Sequence, residues 1–145
     1  MQERISAALE SFRAGDDGKA LGTLLELENE ILPFLTEAYR CEPDGECRAF
    51  LVRAAWERAE PDTIPFIIEA LNDPSEEVWQ SALDGTVALA SPEILDLLKS
   101  ARTTERPDPA SVHRFQTCID EAILYIDGLV QGGQRPRADY VPPTK

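Results

Sequence analysis

Along most of the chain, apolar residues return every three or four positions, the spacing that places them on one side of an α-helix. Ile5, Ala8, Leu9 and Phe12 share one face and predict a helix from Gln2 to Phe12. The segment RAGDDGKA ends it, and Asp16 or Asp17 can cap the next helix by accepting a free amide proton. The stretch ALGTLLELENEILPFLTEAYR then carries Leu21, Leu24, Leu25, Leu27, Ile31, Leu32 and Leu35, with Asn29 placed to divide it into two helices ahead of Pro33. After the turn CEPDGE, a helix from about Gly45 to Ala59 turns Phe50, Leu51, Ala54 and Ala55 inward.

The same pattern then recurs. ILPFLTEAYR aligns with TIPFIIEALN some 32 residues later, so that Leu32, Pro33, Phe34 and Leu35 match Ile64, Pro65, Phe66 and Ile67. The following turns match with one residue fewer in the second copy, Glu42-Pro43 against Asp73-Pro74. SPEILDLLKSA supplies a third first helix. DPASVHRFQTCIDEAILYIDGLV supplies a third second helix, with Val112, Phe115, Ile119, Ala122, Tyr125, Ile126 and Leu129 on one stripe. A period of this size is that of stacked helical hairpins, none of which can bury its apolar face alone. The expected fold is therefore all-α: a short right-handed α-solenoid of seven or eight helices and no sheet, filling residues 1–131 as one domain. Pro33 and Pro65 fall near helix starts, where the missing N–H costs little. Pro74, Pro92 and Pro109 follow Asp73, Ser91 and Asp108 as first-turn prolines behind N-caps. Residues 132–145 form a Pro/Gly-rich tail, because Gly132-Gly133 stops the last helix and three prolines forbid another.

Charge narrows the range of partners. The net charge is −13, from 27 acidic and 14 basic residues, and between Arg58 and Lys99 nine acids occur without a base. Such a field repels nucleic acid and anionic membrane and attracts basic proteins. No stretch approaches the roughly 20 apolar residues of a membrane helix, and the start MQERISAALE lacks the apolar run of a secretory signal. The odd count of three cysteines fits reduced thiols in a cytoplasmic protein, although Cys41 and Cys47 flank one turn at a spacing a disulfide can span.

Chemistry-bearing motifs are sparse. His113 is the sole histidine and lies five residues before Cys118, which does not set the two on one helix face. Three scattered cysteines and one histidine do not make a zinc set. No Gly-rich phosphate loop or dinucleotide pattern occurs, so no cofactor is expected. Carboxylate pairs such as Glu76-Glu77 and Asp120-Glu121 arise readily in so acidic a chain.

The segment IPFIIEALNDPSEEVWQSALDGTVALA resembles a HEAT repeat of the short type found in bilin-lyase-like bacterial proteins. The resemblance rests on Pro65, the turn Leu71-Asn72-Asp73-Pro74, Val78, Ala82-Leu83 and Gly85, and spans roughly residues 29–130. The family often places an arginine after the valine, whereas Trp79 stands here and Arg48 stands in the preceding copy; this departs from the usual aspartate–arginine ladder between neighbours. The resemblance implies a scaffold, a chromophore lyase, a DNA-repair glycosylase or an immunity protein against a bacterial toxin. An acidic chain without a catalytic set favours a non-catalytic protein-binding module, in particular an immunity protein that covers the basic cleft of a toxin. A scaffold or assembly factor, and a chromophore-lyase-like enzyme, are the alternatives.

Second helices line the concave face in this architecture, which sets Trp79 beside the inward stripe of Val78 and Ala82. Trp79 is accordingly expected to be a partly exposed interface anchor. Glu69, Asp73, Glu76, Glu77 and Asp84 are expected to surround it and steer a basic partner. Trp56, behind Ala54-Ala55, is expected to be structural.

Overall fold

A computed structural model of the chain describes residues 2–27, 31–58, 61–103 and 109–132. Eight α-helices occur among them, with no strand: α1 (Gln2–Arg13), α2 (Asp17–Leu25), α3 (Leu32–Cys41), α4 (Gly45–Glu57), α5 (Ile64–Leu71), α6 (Glu76–Ala88), α7 (Pro92–Ala101) and α8 (Pro109–Gly132). A short 3₁₀ turn, Pro61–Thr63, leads into α5. The tail from 133 onward, Asn29 and Asp108 lie outside the described residues.

The local chemistry sets the helix starts. Asp16 caps α2 by accepting from the Lys19 amide at 3.2 Å, Asp44 caps α4 through the Cys47 amide at 3.2 Å, and Ser91 caps α7 through the Ile94 amide at 3.1 Å. Pro33, Pro65 and Pro92 occupy first-turn positions, where no intrahelical amide is lost. Pro74 does not: α6 begins two residues later, at Glu76, behind Ser75. Asp73 is diverted from capping because its carboxylate binds the Ser75 amide at 2.9 Å and an arginine of the preceding hairpin.

Consecutive helices pair as hairpins α1/α2, α3/α4, α5/α6 and α7/α8. The second helices α2, α4, α6 and α8 pack in a row, while α1 meets α3 and α5 meets α7 in the other row. This is the helical solenoid that the repeat period predicts. One continuous apolar core runs between the rows, from Ile5 and Ala8 of α1 to Ile119 and Ile126 of α8. Equivalent positions need not be equally buried. Phe66 is 4% exposed because Tyr39 of α3 closes on it edge-on at 5.2 Å, whereas its counterpart Phe34 is 38% exposed. The aromatic ring that α1 supplies, Phe12, stacks on Phe50 of α4 instead, at 4.5 Å.

Polar ties cross from one hairpin to the next. Arg13 of α1 pairs with Glu42 at 2.5 Å, and Arg40 of α3 grips Glu69 of α5 with two bonds at 2.6 and 2.9 Å. Arg48 of α4 reaches Asp73 at 3.0 and 3.2 Å and Ser75 Oγ at 3.0 Å. Arg58 donates to the carbonyls of Leu24 and Leu27, satisfying acceptors that the end of α2 leaves open. The aspartate–arginine ladder therefore has a rung between the α3/α4 and α5/α6 hairpins.

Candidate functional site

The six residues expected to form one acidic, Trp-centred patch do not assemble into one. Trp79 is fully buried, and its ring meets Phe115 of α8 edge-on at 5.2 Å. The reason lies in the position of α6, which is wedged between α4, α5 and α8. Val78, Ala82 and Gly85 are buried on this helix, and so are Trp79, Leu83 and Thr86 one position further round. Such a helix carries two apolar faces, and Trp79 belongs to the second.

Three of the expected steering carboxylates are used internally. Glu69 lies on α5 and is held by Arg40, whose hydrogen bonds keep its carboxyl below the usual range. Asp73 is 7% exposed. Burial opposes its ionisation, but hydrogen bonds from Arg48, Tyr39 (2.7 Å) and the Ser75 amide outweigh burial and hold its carboxyl low. The same burial and bond push the Tyr39 phenol far above its ordinary value. Glu76 pairs with Arg114 of α8. Three acids of the run without a base thus find bases in space, in arginines 25 to 38 residues away.

Asp84 is half-buried one turn beyond Ser81. Burial pushes its carboxyl up to about 7, with Arg53 acting weakly in the other direction, and its Oδ1 has no hydrogen-bond partner among the described residues. Glu77 alone of the six stands exposed and outside any ion pair among the described residues.

Glu77 does border an open groove of about 250 Å³ where α1, α4 and α6 meet. Phe12 and Phe50 form its floor, Ala49 and Ser81 its walls, and Asp17, Glu46, Glu77 and Arg53 its rim. The small walls let α6 approach α4 closely enough for the Ser81 hydroxyl to donate to the Ala49 carbonyl at 3.2 Å. Glu77 rests its carboxylate against Gly45, where a side chain would stand in the way. Arg53 is occupied by Glu57 at 3.2 Å, whereas Asp17, Glu46 and Glu77 carry no ion pair among the described residues. Sequence reasoning missed Phe12, Asp17, Glu46 and Arg53 as members of a site. A signal existed for one of them: in the register of the repeats, Glu46 and Glu77 are equivalent, both second residues of second helices.

Two of the three thiols are poorer nucleophiles than an ordinary cysteine. None of Cys41, Cys47 and Cys118 forms a disulfide, so the turn between Cys41 and Cys47 is not bridged. Burial, with a hydrogen bond to Asp44, pushes the Cys47 thiol up to about 11, and burial also raises Cys118. His113 is exposed on α8. Among the described residues no group of acidic, histidine and cysteine side chains could hold a metal ion, and no helix is long and apolar enough to cross a membrane.

A family model described as HEAT repeats matches residues 32–111, more than half of the chain. The chain belongs to the HEAT-repeat family. The match opens at the first residue of α3 and closes early in α8, leaving the α1/α2 hairpin as an N-terminal addition to the matched stretch. No curated protein and no solved structure matches the chain. HEAT repeats are an interaction architecture, which directs attention to protein partners.

Proposed function

We propose that this chain is a non-catalytic module that binds a basic protein, and more finely that it is an immunity protein covering the basic cleft of a bacterial toxin. The observation that carries this assignment is an open groove with an apolar floor and three carboxylates that make no ion pair among the described residues, on a molecule of net charge −13. Apolar contact supplies affinity and the unpaired charge supplies steering toward a cationic surface. Steering of this kind weakens with ionic strength, because exposed charges are screened beyond a Debye length of about 8 Å at physiological salt.

The test is affinity capture from the native cell lysate at low salt, with mass spectrometry of what is retained. A single stoichiometric basic protein, released by salt, is expected. If the captured protein is a toxin whose activity the chain blocks, the immunity assignment stands; if its activity is unaffected, the chain is a scaffold or assembly factor. Capture of no protein, or of a pigment instead, would overturn the assignment in favour of a lyase-like enzyme.

A further inference from the structure

We propose that the groove between α1, α4 and α6 receives a single lysine or arginine side chain presented by a basic segment of a partner protein. The inference rests on the protein-binding assignment above and adds the chemistry of what is bound. At about 250 Å³ the groove falls below the roughly 300–1,000 Å³ of small-molecule pockets. It holds one long side chain rather than a cofactor or metabolite. Its floor is aromatic: Phe50 is 5% exposed, Phe12 is half-buried, and the two rings stack at 4.5 Å. An aliphatic stem lies well on such a floor, and a cation at its end gains from the aromatic faces as well.

The rim selects the sign of the charge. Asp17, Glu46 and Glu77 begin three successive second helices and are each exposed. Acids in a first turn also stabilise their own helices through the helix dipole. That contribution explains their presence but leaves their charge uncompensated toward solvent. The one cation on the rim among the described residues, Arg53, is already matched by Glu57. An anionic occupant would be repelled by the three carboxylates, and an apolar one would leave them uncompensated. A cationic side chain with an apolar stem satisfies floor and rim together.

The experiment uses the full chain labelled with ¹⁵N and three acetylated tripeptide amides, with lysine, norleucine or glutamate between two leucines. Saturable shifts are expected at the amides of Phe12, Ala49 and Ser81 with the lysine peptide, and binding about three- to tenfold weaker with norleucine. The triple variant Asp17→Asn, Glu46→Gln, Glu77→Gln is expected to keep its dispersed spectrum and lose that difference. Equal binding of norleucine and lysine peptides would overturn the proposal, as would shifts spread over α3 and α7 or no shifts at all. The captured partner separates the two levels of inference. If it binds the triple variant as well as the parent, the groove assignment fails and the binding module stands; if the parent captures no protein, the module itself fails.

Discussion

At the scale of single residues, close packing decides effects that helix propensity would order differently. A Cβ on Gly85 would lie 2.8 Å from the Trp56 ring and 2.9 Å from its Cβ, which no side-chain rotation can move aside. Propensity alone makes glycine to alanine in a helix favourable by roughly 1 kcal/mol. Gly85→Ala is instead expected to destabilise by about 1–3 kcal/mol, the cost of overpacking, in urea unfolding. Asp84 gives a second prediction. Its folded-state pKa, raised to about 7, exceeds the ordinary value near 3.9, so the native state holds a proton that the unfolded chain has released. The stability this contributes is complete below about pH 4 and is lost as pH rises through 7. Asp84→Asn is expected to flatten that decline and to raise the midpoint of thermal unfolding at pH 8. The gain has a ceiling of about 4 kcal/mol, since each tenfold step in proton affinity is worth about 1.4 kcal/mol. A larger decline with pH in the variant than in the parent would contradict this account.

At the scale of elements, α6 is where sequence and structure part. The inward stripe of Val78 and Ala82 was legible and correctly marks one buried face, which Gly85 continues. The second face was not, because a helix packed between two neighbouring repeats needs a partner stripe, and that partner, Phe115, lies 36 residues further along. Trp79→Ala is therefore expected to act as a core truncation costing about 3–5 kcal/mol, with loss of the near-ultraviolet signal of a packed indole, rather than as a clean loss of binding. The hairpins, their order and the proline-marked starts of α3, α5 and α7 followed from the repeat alone, as did the capping role of Asp16 or Asp17 and of Ser91. The charge ties between hairpins did not, since each joins residues far apart in sequence. Arg48→Ala strands a nearly buried Asp73 and is expected to cost about 3–5 kcal/mol. Asp73→Asn should cost less, and both should add less than their sum in a double-mutant cycle. Simple additivity would show that the rung does not couple the two hairpins.

At the scale of the whole molecule, net charge was legible but its placement was not. Glu69, Asp73 and Glu76 find arginines on adjacent helices, while Glu77, outside any ion pair among the described residues, borders the groove with Asp17 and Glu46. The proposed binding surface accordingly lies on the Glu77 side of α6 rather than the Trp79 side, and takes in Phe12 from a helix outside the family match. That shift follows from topology: in a stack of hairpins, equivalent positions on successive helices form a column, and Glu46 above Glu77 is one. The most direct test of the central claim is hydrogen exchange, followed by mass spectrometry, on the chain alone and saturated with its captured protein partner. Slowed exchange confined to the end of α1 and the first turns of α2, α4 and α6 is the predicted result. Protection centred on α3, α5 and α7, with the groove unchanged, would contradict it.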